Sequence, residues 1–181
     1  LTITEKGYCR RSRDTMLDLE HPDIKHDLQS LVPKSGPGFL VRALEMRWKR
    51  GLRPFTVLSL DNLPSNGLLT RQIVSEFASR IDLNFAHWVK TECKFPCSMV
   101  DRIVPATSDA LRNRACKING HYDEAVVGHE PFRQWVIEDD FVDNCRPDLG
   151  LVGVKLVYDV APFEQMKLRM LNGAHSAIAY L

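Results

Sequence analysis

With 181 residues, 44% of them hydrophobic, the chain is long enough to bury the core of one domain or parts of two. Its 24 Lys and Arg almost balance 23 Asp and Glu, and a net charge of +1 leaves no electrostatic footprint of a nucleic-acid binder. No apolar run approaches the roughly 20 residues that span a bilayer, and the start lacks a signal peptide's charged and apolar regions, so no membrane partner is expected and a cytoplasmic setting is.

Leu1 to Thr4 alternates apolar and β-branched residues and predicts a strand entered midway. Residues 9–37, with His21-Pro22 and Ser35-Gly36-Pro37-Gly38, read as a long connection carrying short helical pieces. Leu40, Ala43, Leu44 and Trp48 recur at helical spacing, which predicts a helix over 39–49 ended by Gly51 and Pro54. The basic cluster Arg47, Lys49, Arg50 and Arg53 falls at that helix end, where cations complement the macrodipole. Phe55 to Leu60 reads as a buried strand, and strand, helix, strand is the grammar of a parallel sheet whose ligands gather beyond the carboxyl ends. Asn62 emerges at such an end.

Residues 68–90 carry the stripe Ile73, Phe77, Ile81, Phe85 and Trp88, with Asp82 and Asn84 interrupting or bending the helix. Phe95 to Val104 is expected to be irregular or extended, and Thr107 or Ser108 caps a helix through Cys116. Ala125–Val127 and Trp135–Ile137 are short apolar pieces, and Pro162 suits the first turn of a closing helix that is still running at Leu181. With neither end marked by a terminal feature, the chain reads as the interior of a longer two-domain protein. Five cysteines without paired CxxC spacing fit reduced thiols; Cys93 and Cys97 lack a second pair to make a metal site, and none is expected. The acidic run Glu138, Asp139, Asp140 and Asp143 lacks the glycine and spacing of a calcium loop.

The chemistry gathers in Lys-Leu-Arg-Met-Leu-Asn-Gly-Ala-His, residues 167–175. At about 100° per residue, Lys167 at 0°, His175 at roughly 80° and Asn172 at roughly 140° share one side of a helix. A lysine, an amide and an imidazole supply a base, an oxyanion donor and an orienting group, as removal of a proton from a secondary alcohol demands. The plain alternative is a solvated polar face opposite the packed arc of Met166, Met170, Leu171 and Ala174. Gly173 in mid-helix, costly by roughly 1 kcal/mol, points to close approach of backbone or ligand.

The segment Phe163-Glu-Gln-Met-Lys-Leu-Arg-Met-Leu-Asn-Gly-Ala-His-Ser resembles the signature of the mannitol dehydrogenase and fructuronate (mannonate) reductase family, the polyol-specific long-chain dehydrogenases. Leu1-Thr-Ile-Thr-Glu-Lys-Gly-Tyr, Asp61-Asn-Leu-Pro-Ser-Asn-Gly, Phe95-Pro-Cys-Ser-Met-Val-Asp-Arg-Ile-Val-Pro-Ala and Glu130-Pro-Phe-Arg-Gln-Trp-Val-Ile-Glu-Asp resemble the same family in the same order, so the likeness covers essentially the whole chain. It implies an α/β fold: residues 1–98 as the end of a Rossmann-like parallel-sheet domain, and 99–181 as the start of a mainly α-helical substrate domain.

The resemblance further implies a metal-independent oxidoreductase using NAD, or else NADP, to interconvert a keto-sugar or keto-uronate with its polyol or aldonate. Lys167 is the expected base; a free lysine titrates near about 10.4, so the role calls for desolvation or nearby positive charge. Asn172 and Asn62 are the expected oxyanion donors, and Asn66 reads instead as a turn residue before Gly67. His175 would hold a substrate oxygen, and Glu164 would join a proton path or simply pair with Lys167. Asp101 and Arg102 are expected in the pocket, with a buried ion pair as the competing reading. Arg169 is one source of preference for a carboxylate, while Thr4, Glu5 and Lys6 could approach the cofactor.

Leu60 stands where the family often has cysteine, and Ala174 where serine is commoner. Gly36-Pro37-Gly38 is no dinucleotide fingerprint, because Val41 fills the third glycine's place. The substrate expectation leans to fructuronate and mannonate, with mannitol or arabinitol 2-dehydrogenase as the alternative. A non-catalytic piece serving as scaffold is the other reading.

Overall fold

Four side-chain acceptors set where helices begin. His21 Nδ1 receives the Asp23 N–H at 3.2 Å and opens α1 (Pro22–Gln29); Ser35 Oγ receives Gly38 N–H at 2.9 Å and opens α2 (Gly36–Lys49). Asp82 Oδ1 receives Asn84 and Phe85 N–H at 2.7 and 3.0 Å. That cap splits the expected 68–90 helix into α3 (Asn66–Ser79) and α4 (Leu83–Glu92), because an aspartate that satisfies the first N–H groups of a new helix competes with continuing the old one. Ser108 caps α5 (Asp109–Asn119), which ends at Gly120 with φ +75°. The computed structural model describes residues 1–11, 14, 16–173 and 178, without the side chains of residues 171 and 172.

Ile24, Val41, Leu44, Ile73, Phe77, Phe85 and Val89 pack α1–α4 into one core, joined by Tyr8 and Leu17. Full burial of each large apolar side chain contributes roughly 1.5–3 kcal/mol. Three members of the basic cluster closing α2 find partners: Lys49 pairs with Glu45 at 2.7 Å, Arg47 donates to the Arg53 carbonyl, and Arg53 pairs with Asp143.

Beyond the helices lies a three-stranded sheet, β1 (Ser98–Asp101), β2 (Gln134–Glu138) and β3 (Lys155–Val157), in that spatial order. β1 runs antiparallel to β2, with Ser98 opposite Ile137 and Val100 opposite Trp135, while β3 runs parallel to β2. Val136 packs with Met99 and Val160 on one face, and Ile137 with Phe141 and Val154 on the other, so the central strand is buried on both sides.

The expected strand at Phe55–Leu60 is extended, with Val57 and Ser59 buried, but it forms no ladder among the described residues. Leu1 N–H donates to Leu58 O at 2.7 Å and Leu60 N–H to Leu1 O at 3.0 Å, and Val57 N–H reaches Lys94 O. The strand expected at Leu1–Thr4 is limited to that contact. The closing segment is also different from a uniform α-helix: α6 (Ala161–Met166) passes into a π-helical turn over Lys167–Asn172. The i→i+5 bonding of that turn sets aside the 100° spacing assumed for Asn172.

Candidate functional site

The turn from α6 into the π-helix brings Lys167 against the edge of β1 and the loop that follows the 55–60 segment. Its Nζ donates to Asn62 Oδ1 at 2.7 Å and to Val100 O at 2.6 Å, with Asp101 Oδ1 3.9 Å away. The Lys167 side chain is 14% exposed and that of Asp101 10%. Lys167 and Asn62, 105 residues apart in sequence, are thus brought together. Glu164 is not the ion-pair partner of Lys167; among the described residues Asp101 is the nearest carboxylate.

Glu164 turns the other way and accepts the Ser65 N–H at 3.1 and 3.4 Å. Ser65 has φ +52°, in the left-handed region a non-glycine residue seldom enters. Burial lifts the Glu164 carboxyl above the usual carboxylate range, opposed by the Ser65 hydrogen bond and reinforced by Glu138, Asp159 and Asp61. Asp101 and Arg102 do not pair with each other: Asp101 faces Lys167, and Arg102 Nε donates to Phe132 O at 3.2 Å.

All of these surround a cavity of about 670 Å³, within the usual span for small-molecule sites. Asn62, Asp101, Arg102, Glu164 and Lys167 line it, together with Arg133 and Trp135. Arg169 is exposed and is not part of that wall. Thr4, Glu5 and Lys6 lie away from it as well: Thr4 precedes a 3₁₀ turn (Glu5–Tyr8), and Glu5 pairs with Arg10. His175 and the side chain of Asn172 lie outside the described residues.

Under the cavity runs a buried polar network that motif spacing gave no reason to single out. The Tyr8 hydroxyl donates to the Asp61 carboxylate and lies 3.0 Å from Ser59 Oγ, from which it can accept. Burial, then the Asp61 hydrogen bond, pushes the Tyr8 phenol up to about 12. Ser59 Oγ meets Thr70 Oγ1 at 2.8 Å, Thr70 donates to Asn66 O at 2.7 Å, and the fully buried Asn66 amide bonds both Asp61 and Ser98. Asn66 is therefore more than a turn residue. Its signal in the sequence was the following Gly67, whose added Cβ would lie 2.7 Å from Cys97 N.

Cys93 and Cys97 are buried thiols pushed up to about 12 and about 11, first by burial, which keeps them protonated and inert. Among the described residues no cluster of three or more His, Cys, Asp or Glu is placed to hold a metal. Members of the acidic run find separate partners: Asp139 with Arg146, Asp140 with Lys94, Asp143 with Arg53.

The family described as the mannitol dehydrogenase Rossmann domain matches residues 1–150. D-mannonate oxidoreductase of Escherichia coli (strain K12) is 51% identical over 183 residues, covering 100% of this chain and 37% of that protein. Mannitol 2-dehydrogenase of Aspergillus clavatus is 46% identical over 186 residues, covering 99% and 37%. The chain thus spans little more than a third of the length of these relatives. Among solved structures, the Pseudomonas fluorescens mannitol 2-dehydrogenase ternary complex with NAD and D-mannitol superposes with TM-score 0.87 at 44% identity, over 100% of this chain and 37% of that one. D-sorbitol dehydrogenase in substrate-free form gives TM-score 0.89 at 39% identity, over 96% and 36%. The fold is that of a Rossmann-type dehydrogenase domain, with helices and a small mixed sheet.

The cavity wall combines polar and apolar surface. Trp135 Nε1 is a buried donor without an acceptor among the described residues, and Leu60, Leu63 and Pro64 supply apolar surface alongside the polar cluster.

Proposed function

The chain belongs to the mannitol dehydrogenase family, and from that premise we propose that the whole protein is a nicotinamide-dependent oxidoreductase acting on a secondary alcohol of a polyol or aldonate. The observation that carries this reading is the lysine held by two acceptors. A neutral amine has two N–H bonds and one lone pair; Asn62 Oδ1 and Val100 O take the two donors. The lone pair is then left for a hydroxyl proton.

Lys167 removes the hydroxyl proton as the carbinol C–H bond breaks. With Oδ1 engaged by the lysine, the Asn62 amide offers its Nδ2 hydrogens to the developing alkoxide, where preorganised donors are most effective. Asn172 and His175 complete the proposed set by family resemblance, as oxyanion donor and substrate-orienting imidazole. Asp101 lies beside Lys167, and Glu164, at the cavity wall and raised by burial, would take part in returning the abstracted proton to solvent. Leu60, Leu63, Pro64 and Trp135 would hold the nicotinamide, which when bound accepts the hydride.

Keto-uronate and aldonate are the favoured substrate pair, supported by the 51% identity to D-mannonate oxidoreductase and by two cavity arginines, Arg102 and Arg133. The 44% identity to a mannitol 2-dehydrogenase solved with NAD and D-mannitol supports a neutral polyol as the second reading. In the full-length protein, Lys167→Ala is expected to lower alcohol oxidation by at least about 10²-fold near neutral pH and to abolish the rise of rate with pH that deprotonation of the base produces. Steady-state assays of mannonate, mannitol and arabinitol with NAD and NADP check both points. A variant with unchanged rates and pH dependence refutes the lysine base.

A further inference from the structure

The geometry points to Asn66 as the positioning residue that holds the two acceptors of Lys167 in register, an inference that rests on the reading of Lys167 as the base. In the antiparallel ladder Glu138 N–H bonds Cys97 O at 3.0 Å, and Ser98 lies opposite Ile137, so alternate residues of β1 turn their peptide groups toward β2 and away from it. Ser98 and Val100 are of the outward kind. β1 is at the sheet edge, and its outward edge is occupied at both places: Asn66 at Ser98, Lys167 at Val100.

The Asn66 carboxamide binds Ser98 as a neighbouring strand would, with Oδ1 accepting from Ser98 N at 2.9 Å and Nδ2 donating to Ser98 O at 2.9 Å. The same Nδ2 donates to Asp61 O at 3.3 Å, immediately before Asn62. One rigid amide therefore ties the loop carrying Asn62 to the strand carrying the Val100 carbonyl. Those are the two groups that hold the lysine amine. Two further contacts keep the joint closed: Ser98 Oγ donates to Ser59 O, and the start of α3 lies so near the 95–97 backbone that position 67 has no room for a Cβ.

Asn66 touches no substrate; it acts through Asn62 and Val100. Its loss therefore lowers kcat through a misplaced base, and leaves KM and the affinity for NAD nearly alone. The test uses the full-length protein with Asn66→Ala, the isosteric Asn66→Asp and Lys167→Ala, each checked by thermal melting, with kcat and KM for polyol or aldonate oxidation and NAD affinity by fluorescence titration. Asn66→Asp keeps the volume and the acceptor for Ser98 N but cannot donate to both carbonyls. The expected result is a fall in kcat of about 10- to 100-fold in both Asn66 variants, the scale of a misplacement of about 1 Å, with KM and NAD affinity within about threefold. In the Lys167→Ala background the Asn66 substitution is expected to cost less than about threefold more, since coupled residues do not add. Wild-type kcat in either folded Asn66 variant, or full additivity with Lys167→Ala, overturns the inference while the lysine base stands. Full activity in Lys167→Ala overturns the base and the role of Asn66 together.

Discussion

Gly67 and Asn66 illustrate how adjacent residues carry different kinds of information. Gly67 is required by a close approach: a methyl there would meet the backbone of residues 95–97, none of it the flexible end of a side chain. Gly67→Ala is expected to destabilise the chain by about 1–3 kcal/mol, the range for overpacking a filled site, despite the better helix propensity of alanine. A urea titration that shows equal or greater stability would refute this. That Lys167 and Asn62 share one cavity was legible because their motifs carry the family likeness. Asn66 was not, since its role depends on β1 lying alongside α3, and residue spacing in one segment carries no record of a partner 32 positions away. Val100 was invisible for a simpler reason: its contribution is a backbone carbonyl, which every residue has.

At the scale of elements, caps and apolar stripes were readable because they are local. Ser35, Asp82 and Ser108 each act within three residues of themselves. Strands were less readable, because an extended segment becomes a strand only when another lies beside it; Phe55–Leu60 has the composition and the burial but only scattered backbone hydrogen bonds, to Leu1 and Lys94. The π-helical turn at Lys167–Asn172 likewise departs from the regular helix that residue spacing predicts. The joint between α1 and α2 allows a quantitative check. Asp27 is buried and accepts from Ser35 Oγ at 2.7 Å, Ser35 N at 2.9 Å and Lys34 N at 2.8 Å, with His26 beside it. Burial pushes its carboxyl upward, but hydrogen bonds from His26, Ser35 and Lys34 outweigh that and hold it below the usual range. A depressed folded-state value means that the unfolded chain binds the proton more readily. The stabilisation from ionised Asp27 is then complete above the unfolded value of about 3.9 and is lost as pH falls through the lower folded value. Asp27→Asn is expected to cost about 1–3 kcal/mol at pH 7, a gap that narrows in urea titrations below about pH 4. A gap independent of pH would show that the charge contributes nothing.

For the molecule as a whole, the near-zero net charge conceals how unevenly the charges are used. Several cations sit in surface pairs, Lys49 with Glu45, Lys94 with Asp140, Arg146 with Asp139, and these contacts contribute little each. Arg133 differs: it lines the cavity and makes no hydrogen bond or ion pair with another described residue. Arg102 is held nearby by the Phe132 carbonyl, leaving most of its guanidinium donors uncommitted to that contact. Arg169, the arginine that the sequence pointed to, is exposed outside the wall, because the direction of a side chain on the closing helix depends on where the π-helical turn begins. If the substrate is a uronate, Arg133 is the cation available to its carboxylate. Arg133→Met in the full-length protein is then expected to lower kcat/KM for a keto-uronate by about 10- to 100-fold, corresponding to about 1.5–3 kcal/mol for a hydrogen bond to a charged group. Fructose and mannitol, which carry no carboxylate, are expected to change less than about threefold, since they lose no such bond. Parallel losses for charged and neutral substrates would mean that Arg133 shapes the cavity without reading charge, and would shift the substrate assignment toward the neutral polyol.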